Sequence, residues 1–246
     1  MDTSVLSYFP EYADLRTPEK SSITLRNLLT MSDGLDWSEF KPPFDSMKRM
    51  REAVDVYRYV LEQETAAPPG RTFNYNSGAT ELLGAILRKL SGKSLDVLAK
   101  EQLFDPLGIQ DVEWNRRLPD GNPMASSALR ARPRDWAKLG QLVLNCGAWN
   151  DKQIIASDWI AESTAVQNNG PGLFLYGFHW WLGRSFMGGK LFDWIGAMGW
   201  AGQRVIIVPT LNMVMLVNAW MPDRMNLPEA VLLNQYILPA IMPTPN

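Results

Sequence analysis

The chain has 246 residues and a formal net charge of −2, which is long enough for one large domain or two small ones around a hydrophobic core. The small charge and the absence of a Lys/Arg block argue against nucleic acid or an anionic membrane surface as a partner. No apolar run approaches the roughly 20 residues that cross a bilayer. The single cysteine, Cys146, excludes an intrachain disulfide and a cysteine-based zinc site.

Helical periodicity dominates the first two thirds of the chain. Apolar residues recur at three and four positions, with capping residues in front and glycine or proline behind. The pattern predicts a short helix after a capping Ser22 and before Gly34, a longer helix over 46–62, a helix over 78–90 with Gly92 behind it, a helix from a capping Ser94 to about Leu103, and a helix that begins at Pro133.

Beyond about residue 165 the pattern changes to short β-branched and aromatic runs between Gly, Pro and Asn. These runs predict strands of one antiparallel sheet over 176–181, 191–194, 204–208 and 213–220, with a hairpin at 208–212 and a last helix from Pro228. The order of helices and strands predicts an α+β fold. We divide it into a connecting segment (1–20), a mainly helical region (20–165), and the sheet with its C-terminal helix (166–246).

A loop with the sequence Pro-Gly-Arg-Thr-Phe-Asn-Tyr-Asn-Ser-Gly leads into the predicted helix at Gly78. It resembles the second active-site motif of class C β-lactamases, their esterase relatives and the nylon-oligomer hydrolases, in which a loop tyrosine is followed two residues later by Asn or Ser. Further blocks agree in order along the chain: 23–35, Leu83-Gly84, 132–135 with 140–141, and 199–217. The resemblance implies a β-lactamase/transpeptidase-like fold, in which helices flank an antiparallel sheet and a helical region is added.

The resemblance assigns a catalytic role to Tyr75. In this family a serine attacks an ester or amide carbonyl, a lysine keeps the serine proton mobile, and the tyrosine relays that proton to the leaving group. Because tyrosine has an ordinary pKa near 10, Tyr75 needs a neighbouring cation for this task. Ser77 is expected to bond the substrate or the lysine, or alternatively to cap the helix at Gly78. A packed loop tyrosine is the structural alternative for Tyr75.

The third motif of the family, usually Lys-Thr-Gly or a His variant on a strand, matches Ala197-Met198-Gly199-Trp200. Ala197 and Met198 lack the cation and the hydroxyl that bind a substrate carboxylate. Gly199 lets substrate approach the backbone, and the Trp200 N–H corresponds to one oxyanion-hole donor. A carboxylate substrate loses hydrogen bonds worth roughly 1.5–3 kcal/mol, so neutral esters or amides are expected. Four tryptophans are candidates for an acyl-pocket wall or for sheet core: Trp180, Trp181, Trp194 and Trp200.

The family's first motif, S-x-x-K, has one local match, Ser38-Glu39-Phe40-Lys41, which continues into two prolines that break a helix. Residues 1–10 resemble the segment after the S-x-x-K helix. We therefore expect an N-terminally truncated chain, inactive by itself, whose serine and lysine lie upstream. The single His179 and the lack of a G-x-S-x-G sequence disfavour a Ser-His-Asp triad.

The resemblance therefore predicts a serine hydrolase that acts on a small-molecule ester, amide or β-lactam without cofactor or metal. The alternative is a non-catalytic binding or regulatory protein of the same fold, or an inactive gene fragment. A homo-oligomer or a complementing N-terminal segment is the expected protein partner. The compartment is periplasmic or extracellular if an upstream segment carries a signal, and cytoplasmic otherwise.

Overall fold

The computed structural model describes residues 1–39, 45–221 and 228–241. The chain divides into two compact units, Met1–Arg130 and Ala131–Asn246, which we describe separately. The predicted α+β fold is confirmed, since the first unit is mainly helical and the second carries a six-stranded antiparallel sheet. None of the helices in the described part of the chain has the length and apolar character of a membrane span.

The first unit begins with two 3-10 segments, Val5–Tyr8 and Pro10–Leu15. The elements that follow are α1 (Pro18–Ser21), α2 (Leu25–Leu29), α3 (Ser46–Glu52), α4 (Val56–Glu62), α5 (Ser77–Ser91), α6 (Leu95–Ala99) with a π-helical turn (Lys100–Phe104), and β1 (Val112–Trp114); β2 (Leu129–Ala131) lies at the boundary between the units. Gly92 ends α5 with φ +69°, as predicted. Ser94 stands at the N-cap position of α6, but its side chain does not make the predicted capping bond.

Two predicted helices differ from those observed. The cap of α2 is Thr24 and not Ser22, because the Thr24 hydroxyl accepts from the Asn27 N–H while the Asn27 side chain accepts from the Thr24 N–H. The helix predicted over 46–62 is two helices, since Ala53 is extended and the Asp55 side chain caps a new helix at the Arg58 N–H.

The core of the first unit forms around α5, whose buried face includes Leu82 and Ile86. Val60 of α4 and Leu28 of α2 are fully buried in the same cluster. At the start of α5, a Cβ on Gly78 would lie 2.7 Å from Val60 Cγ2, so the helix approaches its neighbours too closely for any side chain there. This packing fixes the first turn of α5, directly after Tyr75.

The second unit contains the sheet. Its elements are α7 (Pro133–Leu144), β3 (Ala148–Trp149), β4 (Lys152–Gln153), α8 (Ser157–Ser163), β5 (Asn168–Asn169), β6 (Leu175–Tyr176), β7 (Trp181–Met187), β8 (Lys190–Gly199), β9 (Gln203–Val208), β10 (Met213–Asn218), α9 (Pro228–Val231), a π-helical segment (Leu232–Ile237) and α10 (Leu238–Ile241). Strands β5 to β10 pair in chain order, each antiparallel to the next. The predicted hairpin between β9 and β10 is confirmed.

Both faces of this sheet are covered. On one face Trp194 and Ile206 pack with Leu233 and Leu238 of the C-terminal helical segments. On the other face α7 lies against β9 and β10, where a Cβ on Gly140 would lie 2.6 Å from Val214 Cγ1. Central strands covered on both faces require apolar residues in succession, which accounts for the run of buried residues at 205–208.

The strand predicted over 176–181 is a turn between two strands. Gly177 N–H donates to the Trp180 carbonyl at 2.8 Å, and His179 has φ +58°. Because aromatic residues flank this two-residue turn, its sequence has the composition of a strand, and the left-handed His179 leaves no signal in the pattern.

Candidate active site

The loop that carries Tyr75 is fastened by hydrogen bonds to an earlier segment of the first unit. Gly70 N–H donates to the Ser32 carbonyl at 2.7 Å, and Asn74 N–H donates to the Met31 carbonyl at 2.8 Å. The Asn74 side chain also donates to the carbonyl of Trp37 at 2.9 Å. These bonds fix the backbone immediately before Tyr75.

Asn76 fixes the backbone on the other side of Tyr75. Its fully buried side chain accepts from Ala79 N–H at 3.1 Å, and its amide donates to Asp33 at 3.2 Å. Asn76 is thus the N-cap of α5, and Ser77 is the first helical residue. The alternative prediction, that Ser77 caps a helix at Gly78, is wrong because the asparagine before it makes the capping bond.

Ser77 belongs to a buried polar cluster around Glu39, a residue that lies within the S-x-x-K match at 38–41. Glu39 is 8% exposed and accepts hydrogen bonds from Trp37 Nε1 at 2.6 Å and from Ser77 N at 3.2 Å. The Ser77 hydroxyl also donates to Glu39. Contacts between residues 38 positions apart leave no periodic signal, so sequence patterns could not reveal this cluster.

The Glu39 carboxylate also influences Tyr75. Burial raises the pKa of the half-buried Tyr75 phenol, and the negative charge of Glu39 raises it further. A cation is expected beside Tyr75 from the sequence, and the described part of the first unit places the negative charge of Glu39 near it. Tyr75 is therefore a neutral phenol at physiological pH, suited to donating a proton.

The S-x-x-K match is only partly within the described structure. Phe40 and Lys41 lie outside the described residues, as do the two prolines behind them. The Ser38 N–H donates to the Ser46 hydroxyl at 3.0 Å, which ties this serine to the start of α3.

In the second unit, Ala197, Met198 and Gly199 end strand β8, opposite Val205, Arg204 and Gln203 of β9. Met198 is half-buried and packs on the core cluster that contains Trp194 and Ile206. Gly199 is extended, with φ −100°, and its carbonyl accepts from the Arg204 guanidinium. A Cβ on Gly199 would lie 3.0 Å from Gln203 Cβ. A substrate-binding role for Ala197, Met198 and Gly199 stays a prediction.

Trp200 begins a tight turn between β8 and β9. Ala201 has φ +61° and Gly202 has φ +104°, so two consecutive residues lie in the left-handed region, which costs free energy for alanine. The Ala201 carbonyl accepts from Met221 N–H at 2.9 Å, which ties the turn to the segment after β10. The turn is thus tied down at Ala201, the residue after Trp200.

The four tryptophans named from the sequence lie in different environments. Trp194 is buried in the sheet core, Trp181 makes edge-to-face contacts with Phe174 and Tyr176, and Trp180 is half-buried against the α7 face. Trp200, in contrast, is 59% exposed.

The described residues do not bring together the side chains that commonly bind a metal ion. No group of three or more His, Cys, Asp or Glu side chains there could hold a metal ion. His179, the single histidine, lies in the turn between β6 and β7.

Comparison with known proteins bears on the family and the fold of the chain. The family model described as Beta-lactamase matches residues 1–235. A solved structure described as a 6-aminohexanoate-dimer hydrolase of Bacillus anthracis superposes with a TM-score of 0.81 at 26% identity, over 97% of this chain and 65% of that one. A family VIII carboxylesterase superposes with a TM-score of 0.70 at 18% identity, over 90% of this chain and 71% of that one, which shows a common fold.

Among curated proteins, a lovastatin esterase of Penicillium rubens is 26% identical over 147 residues, which are 54% of this chain and 34% of the esterase. The chain thus spans about a third of that esterase and just under two thirds of the Bacillus anthracis protein. The expected β-lactamase/transpeptidase-like fold is confirmed by these similarities. Because the family model covers residues 1–235, the chain belongs to the beta-lactamase family of serine hydrolases and penicillin-binding-protein-like proteins.

Proposed function

We propose that the protein containing this chain is a serine-dependent acyl hydrolase that acts on neutral esters or amides. The observation that carries the proposal is the construction of the Tyr75 loop, where Asn74 and Asn76 hold the backbone on both sides of the tyrosine. A loop tyrosine that only packs its ring does not require two anchored neighbours, one of them fully buried.

In this mechanism Tyr75 delivers a proton. A serine oxygen attacks the carbonyl carbon, and its proton passes to the lysine that the family resemblance implies. The carbonyl oxygen becomes an oxyanion, and the leaving group must be protonated as its bond breaks. Because burial and Glu39 keep the Tyr75 phenol neutral, it can supply that proton and be reprotonated by the proton released from serine. The family resemblance assigns the stabilisation of the oxyanion to the backbone N–H of Trp200.

Substrate preference is proposed from Ala197 and Met198. Neither side chain offers a charge or a hydroxyl to a substrate carboxylate, and Met198 packs on the sheet core. Neutral esters and amides carry no carboxylate and need no charged partner at these positions, whereas the carboxylate of penicillins and cephalosporins lacks one there. The relatives with names ending in esterase or dimer hydrolase support this preference.

The proposal is tested with the longest reading frame that contains residues 1–246. Covalent labelling by a fluorophosphonate identifies a nucleophilic serine, and hydrolysis of nitrophenyl butyrate is compared with that of a chromogenic cephalosporin. We expect labelling at one serine and a higher kcat/KM for the ester. Absence of both labelling and turnover would favour the non-catalytic alternative, and equal or faster cephalosporin hydrolysis would contradict the assigned preference.

A further inference from the structure

Trp200 has an aromatic partner that its position in the sequence does not suggest. The centroid of its ring lies 5.1 Å from the ring centroid of Trp220, and the angle between the two ring planes is 81°. This edge-to-face geometry is favourable for aromatic pairs. Trp200 is 59% exposed and Trp220 is 73% exposed, so the two indoles form an aromatic pair on the surface of the second unit.

The backbone holds this pair in place. Two hydrogen bonds continue beyond the end of the β9–β10 pairing. Ala219 N–H donates to the Gly202 carbonyl at 3.3 Å, and Met221 N–H donates to the Ala201 carbonyl at 2.9 Å. Trp220 lies between these two bonds. The left-handed Ala201 turns the chain directly after Trp200, so the backbone is strained at the residue that follows the first indole.

Polar groups beside the pair are engaged with backbone carbonyls. The Gln203 amide donates to Ala219, and the Arg204 guanidinium donates to Gly199 and Gln203. These two side chains thus bond to the backbone of the turn and of the segment after β10. Exposed indoles presented together in this way are characteristic of a binding surface rather than of scattered surface residues.

We infer that the Trp200–Trp220 pair is the binding subsite for the apolar acyl chain of the substrate. The inference rests on the proposed function, which places the carbonyl oxygen of the ester at the Trp200 N–H. The acyl chain is bonded to that same carbonyl carbon, so it begins beside the residue that carries the first indole. Two indoles at a steep angle form an apolar corner against which a linear alkyl chain can pack.

Binding is measured without turnover, on the protein labelled with 5-fluorotryptophan. The ten indole resonances are observed by ¹⁹F NMR, and those of Trp200 and Trp220 are assigned with Trp200→Phe and Trp220→Phe. Acetamide, butanamide and hexanamide serve as neutral probes that share a carbonyl and differ in chain length. We expect shifts at both resonances and a Kd that falls about two- to fourfold for each added methylene.

Trp220→Ala is expected to remove the dependence on chain length. Trp159→Ala, which alters another partly exposed indole of the second unit, is the matched control and is expected to preserve it. Shifts confined to other tryptophans, or an unchanged dependence in Trp220→Ala, would overturn the subsite. A dimer that dissociates in Trp220→Ala would also overturn it, since a second copy would then be the occupant. Chain-length-dependent binding in a protein that hydrolyses no ester would support the subsite and reject the proposed function.

Discussion

Replacement of Glu39 by alanine is expected to lower the free energy of unfolding by about 4 kcal/mol. Glu39 is buried and accepts from the indole N–H of Trp37 and from the backbone N–H and the hydroxyl of Ser77. Alanine leaves the indole N–H and the backbone N–H without an acceptor in a buried place. An unsatisfied buried donor costs about 1–3 kcal/mol, which gives about 4 kcal/mol for two. The hydroxyl adds less because it can rotate towards another acceptor.

Glu39→Gln separates the hydrogen bonds from the charge. A glutamine amide oxygen can still accept from Trp37 and from Ser77 N, and its amide nitrogen can donate to the Ser77 hydroxyl. Only the charge assistance is lost, about 1 kcal/mol for each bond, and relief from burying a charge offsets part of this loss. We expect a net cost of about 0–2 kcal/mol.

Urea unfolding followed by circular dichroism measures these costs as changes in the transition midpoint at constant slope. Glu62→Ala is the matched control, because this glutamate is exposed on α4 and pairs with Arg58 at 2.6 Å, an interaction worth about 0.3–0.5 kcal/mol. If Glu39→Ala cost no more than Glu62→Ala, the cluster around Glu39 would not be a structural support of the Tyr75 loop.

Two further predictions concern packing and pH. Gly183→Ala should destabilise the protein by about 2 kcal/mol or more, because the added Cβ would lie 2.0 Å from Trp194 Cζ2 of the paired strand. Gly196→Ala is the control and should cost less, because its Cβ would lie 3.0 Å from Ile206. Equal urea midpoints for the two variants would contradict this prediction. Burial raises the pKa of Asp33 to about 6 from an ordinary 3.8, so the folded protein keeps a proton that the unfolded chain releases. The contribution of Asp33 to the free energy of unfolding is present in full below about pH 3.8 and falls by up to about 3 kcal/mol as the pH rises to 6. A pH-independent difference in stability between wild type and Asp33→Asn would refute this prediction.

The elements that the sequence predicted correctly depend on local rules. The helix over 77–91 follows from apolar spacing and from the left-handed Gly92, and β9 and β10 follow from two β-branched runs around a proline turn. Tyr75 was named as a candidate because a short motif surrounds it, and its loop position and the helix behind it needed no tertiary information.

The features that escaped prediction depend on contacts between distant residues. Glu39 meets Ser77 only after folding, and the pairing of Trp200 with Trp220 depends on the register of β9 and β10. The break at Asp55 was missed because a capping side chain overrode an uninterrupted helical pattern. This break is a local effect, and the sequence pattern does not show which of two competing local preferences prevails.

The role of Tyr75 as the proton relay is tested most directly by Tyr75→Phe in the longest reading frame that contains this chain. The variant removes one hydroxyl and keeps the ring, and a urea midpoint equal to that of wild type serves as the control for folding. We expect kcat/KM for nitrophenyl butyrate to fall by about two to four orders of magnitude, as for the loss of a positioned proton donor. A kcat/KM within a few-fold of wild type would contradict the assignment of Tyr75 as the relay.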